Sequence, residues 1–398
     1  MLKYHSVNPR FNEQVSDWSD WGWQLRNSLS SEADFAKYFK LSESELAGIR
    51  GGASIFRART TPYYASLASF DNQQEPIRKI LVPRENELGG GLQEQLDPLG
   101  ENKNRPTARI IHRYSDRALF LVTDFCSVYC RYCTRKHFTA HDHALPSNQE
   151  YDGALNYVRQ HAGIREVILS GGDPLTLSDA WLERVLSDLR SIEHVEIIRI
   201  GSRMPVVCPM RITAELVQMI KKYHPVFLMT HFNHPREVTA EAATALGLLV
   251  DHGVPVFNQM VLLNGVNNHP AIVQALSRRL LYLRVKPYYM FQCDPSIGSD
   301  HFRTSVEESL AIQRELWGHL SGLAMPNLSL DIPDGGGKVP LVPEFQIASA
   351  GPVRRYRGWD GVEADYISPS MNARELPFDL ENYLGEWERL RAAKISSP

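Results

Sequence analysis

Cysteine is scarce in this 398-residue chain, with five residues, too few for a disulfide scaffold. No strong excess of one charge sign exists either. The formal net charge is -3, so no global basic field points to nucleic acid as a partner. No run of 18 apolar residues occurs, which predicts no membrane span. The opening MLKYHSVNPR lacks the apolar core of a signal peptide, so the expected compartment is the cytoplasm. GxxxxGK[ST] is missing, which argues against a P-loop. Internal repeats and low-complexity tracts are absent too. Lysine is sparse, 11 residues against 32 arginines, so each lysine merits inspection. What is present is an ordinary globular composition, 43% hydrophobic and 22% charged.

The chain divides into three parts. Residues 1–105 read as a helical region, with DWSDWGWQLRNSL and SEADFAKYFKLSESELAGIR at helical spacing and Ser30, Ser31 and Ser42 as caps. No chemistry is expected there, only a helical cover or an oligomer contact. Residues 106–325 alternate short apolar runs with amphipathic stretches, several opening on a capping residue such as Ser178, Thr213 or Thr239. Six β/α units in succession predict an α/β fold, a partial (β/α)6 barrel with its site at the C-terminal strand ends. Asp124, Asp173, Ser202, Arg203, His231, Gln259 and Asp294 collect at those ends. Residues 326–398 form a C-terminal closing segment that begins near a glycine-rich run and ends in a polar helix.

The strongest chemical signal is Cys126-x3-Cys130-x2-Cys133, directly after the first barrel strand. Three thiolates on one loop can hold three irons of a [4Fe–4S] cluster and leave the fourth open. Zinc with His137 as a fourth ligand is the alternative. Ser170-Gly171-Gly172-Asp173 ends the second strand, where glycines permit close backbone approach and Asp173 can accept from an ammonium group. Asp331-Ile-Pro-Asp334-Gly-Gly-Gly-Lys338 places one lysine on a glycine-rich hinge, suited to an aldehyde cofactor or an ordinary loop. Cys208 and Cys293 read as small buried residues.

The cysteine spacing, with Tyr132 before the last cysteine, resembles the signature of radical S-adenosylmethionine (SAM) enzymes. HRYSDRALFLVTDFCSVYCRYCTRKHF, LSGGDPL, RIGSRMPVV, KKYHPVFLMTHFNHP, YYMFQCDPSIGSDHFRT and DIPDGGGKVP together resemble the lysine 2,3-aminomutase family, from about Trp18 to about Ile367. The resemblance implies a [4Fe–4S] cluster, S-adenosylmethionine and pyridoxal phosphate in a partial barrel. It implies that Lys338 links to pyridoxal phosphate, that Arg117 binds its phosphate, and that Arg113 and Tyr114 line that pocket. Tyr132, Ser170, Gly171, Gly172, Asp173, His231 and Gln259 complete the implied cofactor-binding set. Arg135 matches the arginine that clamps the substrate carboxylate, and Asp294 and Asp331 match the acids that receive a distal amino group.

Two nearby carboxylates select a cationic side chain. The resemblance implies migration of an α-amino group from C2 to C3, and the acids make a basic L-amino acid the expected substrate, L-lysine to L-β-lysine first and L-arginine second. A radical SAM reaction without pyridoxal phosphate is a further alternative, and a non-catalytic zinc-holding scaffold another. An electron donor such as flavodoxin or ferredoxin is implied, and a homo-oligomer. Structural zinc is not expected. The family's barrel cysteine is replaced here by His269, and the tail YISPSMNARELPFDLENY has no cysteine. Asp334 stands where the family has glycine, and an extra acid near Asp331 would suit a guanidinium.

Overall fold

The computed structural model describes residues 4–8, 15–52, 55–91, 93–139, 145–369 and 380–392. Most of the tail stretch that lacks cysteine lies outside them. A nine-stranded sheet organises the chain, with every strand beside its sequence neighbour. Its strands are β1 (Ile110–Tyr114), β2 (Arg117–Thr123), β3 (Glu166–Gly171), β4 (Ile197–Gly201), β5 (Val226–Thr230), β6 (Val256–Val261), β7 (Val285–Phe291), β8 (Asn327–Ile332) and β9 (Gly337–Pro340).

β2 through β8 run parallel. β1 and β9 close the two ends antiparallel. Helices Asn148–Gln160, Asp179–Arg190, Ala214–Lys221, Ala240–Asp251, Pro270–Tyr282 and Val306–Leu316 make the crossovers. The six expected β/α units are present. The sheet continues past residue 325, because β8 and β9 pair onto it and carry Asp331 and Lys338 with them.

The reason is visible in the residues. β3 is buried along nearly its whole length, as a parallel strand covered on both faces must be. Each crossover helix buries one stripe; Leu182, Val185, Leu186 and Leu189 are the inward set of one, at helical spacing. Ser178, Thr213 and Thr239 cap their helices through side-chain oxygens. His269 does the same for Pro270–Tyr282, its Nδ1 accepting from Ala271 N–H at 3.1 Å.

The N-terminal region is helical as expected, with Ser31 capping Glu32–Tyr38 and Ser42 bonded to Glu45 at the start of Glu43–Gly52. A fully buried pair, Arg78–Glu45 at 2.8 Å, holds it together. The region docks on the barrel through Tyr64, whose hydroxyl donates to Glu237 at 2.6 Å. A separate antiparallel sheet, β10 (Gln346–Ala350), β11 (Val353–Arg357) and β12 (Glu363–Ile367), follows the barrel and leaves Tyr366 and Ile367 exposed. Among the described residues no helix is long and apolar enough to cross a membrane.

Candidate active site

The C-terminal strand ends open into a cavity of about 340 Å³. Cys126, Cys130 and Cys133 line it from the loop after β2. That loop is fixed by its neighbours. Tyr129 N–H donates to the Arg59 carbonyl at 3.0 Å, and Arg131 pairs with buried Glu87 at 2.7 Å. Two donors point at the sulfurs: Arg135 N–H at 3.3 Å from Cys133 Sγ, and Arg203 Nη1 at 2.8 Å from Cys130 Sγ. Burial, followed by the neighbouring thiols, pushes the Cys126 and Cys133 thiols up. Thiols so placed become stable thiolates when a metal supplies the compensating charge. The donor set therefore fits an iron–sulfur cluster. His137 lines a different cavity and does not join the cysteines as a fourth ligand.

Ser170, Gly171, Gly172 and Asp173 reach the same cavity. Their local work differs from expectation. Gly171 has φ 111°, and a Cβ there would run into the Thr123 carbonyl oxygen; one on Gly172 would run into that of Phe125. Gly172 N–H donates to Thr123 O at 2.7 Å and Asp173 N–H to Phe125 O at 2.8 Å. The close approach that the glycines permit is made to the backbone at the end of β2 and the start of the cysteine loop. The Asp173 carboxylate accepts from Ser202 Oγ at 2.6 Å, Arg203 N–H at 2.7 Å and Leu175 N–H at 3.0 Å. It joins β3 to the turn after β4.

Tyr132 and His231 stack with ring centroids 5.7 Å apart, and the tyrosine hydroxyl meets His231 Nε2 at 2.9 Å. Burial, helped by Arg203, lowers the His231 pKa to about 3, so the ring is neutral. Gln259 lines the wall from β6. Asp124 does not; it forms a buried ion pair with Arg109.

Asp294, Asp331 and Lys338 line the same cavity. Asp331 and Lys338 face each other across the β8–β9 ladder, and Lys338 Nζ lies 3.1 Å from Asp331 Oδ2. Burial and then the charge of Asp331 raise the Asp294 pKa to about 7. Arg113, Tyr114 and Arg117 sit behind the glycine-rich turn rather than in the cavity wall. Tyr114 Oη accepts from Lys338 N–H at 3.1 Å. The Arg117 guanidinium lies 4.0 Å from the Tyr114 ring centroid and pairs with Asp116 at 2.7 Å. Arg113 stands 3.9 Å from Asp331, its Nη1 buried and without a hydrogen-bond partner. An amine in the cavity and an unsatisfied guanidinium nitrogen beside it fit an aldehyde cofactor that carries an anion. Asp334 is exposed, has φ 59° and is not in the cavity wall, so it adds no third acid there.

Sequence reasoning missed two participants. Leu99, from the region read as free of chemistry, lines the cavity. Its neighbour Glu101 pairs with Arg135 at 2.7 Å. The contact of Arg203 with Cys130 was also not foreseen, although Arg203 stands among the strand-end residues.

Comparison with known proteins places these observations. The Radical SAM superfamily profile matches residues 120–274, from β2 into the helix after β6. That is the class to which the barrel and its cysteine loop belong. A second profile, Lysine-2,3-aminomutase, matches residues 313–387. The chain is 45% identical to the L-lysine 2,3-aminomutase of Fusobacterium nucleatum, over 95% of this chain and 90% of that one. It is 45% identical to that of Clostridium subterminale, over 89% and 85% of the two chains. It is 40% identical to the glutamate 2,3-aminomutase of Clostridioides difficile, over 88% and 83%. The chain belongs to the lysine 2,3-aminomutase family of radical SAM enzymes. It is accordingly an isomerase, with a [4Fe–4S] cluster, S-adenosylmethionine and pyridoxal phosphate as cofactors.

Proposed function

We propose that the chain is an L-lysine 2,3-aminomutase, which moves the α-amino group from C2 to C3 to give L-β-lysine. The observation that carries this reading is the pair Asp294 and Asp331 in the cavity that also holds Arg135. Two neighbouring acids, Asp331 buried and Asp294 partly so, repel, and the charge of Asp331 makes ionisation of Asp294 harder. A cation between them removes that cost. A substrate with one carboxylate and a distal ammonium satisfies both ends. Glutamate would bring another carboxylate toward the two acids. Asp334, outside the cavity wall, gives no added support to arginine.

When bound, the reduced cluster and S-adenosylmethionine supply the radical that takes hydrogen from C3, and pyridoxal phosphate carries the migrating nitrogen. The residue roles follow from chemistry and position. Cys126, Cys130 and Cys133 hold the cluster. Tyr132, Ser170, Gly171, Gly172, Asp173, His231 and Gln259 shape the wall around S-adenosylmethionine. Lys338 holds pyridoxal phosphate, Arg117 receives its phosphate, and Arg113 and Tyr114 support them. The unsatisfied Arg113 Nη1 favours an anion there. The Arg135 guanidinium takes the substrate carboxylate, for which a planar fork is better suited than an ammonium group. Orientation and exclusion of water are the protein's share of the work. A low-potential donor of the flavodoxin or ferredoxin type supplies the electron, and the exposed apolar residues of β12 favour a homo-oligomer.

Anaerobic incubation of the reconstituted enzyme with lysine, arginine and glutamate separately tests this, with product identification. β-Lysine is the expected major product. A preference for glutamate or arginine would overturn the substrate assignment.

A further inference from the structure

Arg135 is held from behind. Its Nε lies 2.9 Å from both carboxylate oxygens of Glu101, and its Nη2 lies 2.7 Å from Oε1. Its Nη1 donates to Ser170 Oγ at 2.8 Å. Arg135, Ser170 and Leu99 line the cavity, whereas Glu101 does not. Glu101 is itself fixed, with its side chain only 5% exposed. Its N–H donates to Asp97 Oδ1 at 2.9 Å, and Asn102 N–H donates to the other oxygen at 2.8 Å. The Asp97–Asn102 turn thus presents a buried carboxylate to one edge of the guanidinium and leaves the Nη1 end toward the cavity.

We propose that Glu101 is the positioning residue that presents the Arg135 guanidinium to the substrate's carboxylate. The proposal rests on the assignment of Arg135 made above. A guanidinium offers two edges with paired N–H groups. Glu101 occupies the Nε–Nη2 edge, so an incoming carboxylate meets Nη1 and the second proton of Nη2, where it replaces the Ser170 hydroxyl. A free arginine would pay rotamer entropy on binding; one already clamped has paid it on folding. Glu101 therefore acts on recognition of the carboxylate and not on the migration of nitrogen.

The test uses holoenzyme variants Glu101→Gln, Glu101→Asp and Arg135→Lys, with cluster and pyridoxal phosphate content matched to wild type. Steady-state kinetics are measured with lysine and with lysinamide, which lacks the carboxylate. Glu101→Gln should raise KM for lysine about tenfold or more while kcat changes less than about threefold, given the cost of unpairing a buried charge. Its preference for lysine over lysinamide should fall by the same factor. If Glu101→Gln does not fold, Glu101→Asp is the readout: it keeps the charge but withdraws it by one methylene, and a severalfold rise in KM with partial loss of preference is expected. A KM that is unchanged or lowered, with the preference for lysine intact, overturns the proposal; a lowered KM would mean that Glu101 competes with substrate. Arg135→Lys separates the two levels. If it keeps the preference for a carboxylate, the assignment of Arg135 itself fails. If it loses that preference while both Glu101 variants retain it, only the role of Glu101 fails.

Discussion

On the cysteine side of the cavity, the Arg203 guanidinium spends itself on Cys130, Tyr64, Glu237 and the His231 carbonyl. Asp173 beside it accepts three hydrogen bonds. On the lysine side, charge is denser and partners are fewer. Lys338 Nζ has Asp331, Arg113 has an unsatisfied Nη1, and Asp294 is pushed up to about 7. On the first wall the guanidinium and the carboxylate already have their partners, and only the thiols wait for the cluster. The second is left electrically open, in the state expected of groups that wait for a cation and an anion. Pre-organisation and receptivity are thus assigned to different polar groups of one cavity.

The largest effect that could break this comparison lies on the cysteine wall. Cys130→Ala should fold, by circular dichroism, yet lose turnover altogether, because a cluster with one open iron needs all three thiolates. Wild-type activity in that variant would sink the radical reading. Next come the acids of the open wall. Asp294→Asn or Asp331→Asn should cut kcat/KM for lysine by roughly two to three orders of magnitude, from about 3–5 kcal/mol for unpairing a buried charge at about 1.4 kcal/mol per tenfold. Cluster content should be unchanged in both, and the pyridoxal phosphate spectrum in Asp294→Asn, because Asp331 is the ion-pair partner of Lys338. Wild-type kinetics in both variants would mean that the acids do not receive the side chain.

The smallest effect is a pH dependence. Asp294 keeps its proton up to about pH 7 against an ordinary value of 3.8. Between those values the folded protein holds a proton that the unfolded chain has released, so this group lowers stability as pH rises through the window. A bound ammonium favours the carboxylate form. KM for lysine should therefore rise as pH falls below about 7, on the order of tenfold per pH unit. Asp294→Asn should flatten that slope. A flat wild-type KM between about pH 8 and 6 would show that the charge of Asp294 is not what the substrate reads.

Much of the barrel was legible because parallel strands buried on both faces leave continuous apolar runs, and helices leave caps such as Ser178 and Thr239. The three cysteines were legible because their spacing is local. Glu101 was not, since its meaning depends on an arginine 34 positions away. β8 was assigned to a separate closing segment, because nothing in NLSLDI tells whether it pairs with β7 or stands apart. Asp124 and Asp173 read only as strand-end acids because their partners, Arg109 and Ser202, come from neighbouring strands and loops. Local pattern finds elements and ligands that share a loop; it does not find a polar group's partner across the fold.

The ladder pairing of Asp331 with Lys338 has a consequence for chain length. Successive residues of a strand point to opposite faces, so a one-residue slip turns every side chain over. A single insertion or deletion in the turn at Pro333–Gly336, if the ladder re-registered, would carry the amine to the far side of the sheet. While these two short strands keep their present pairing, the residue count of the turn decides which face of the sheet the amine takes.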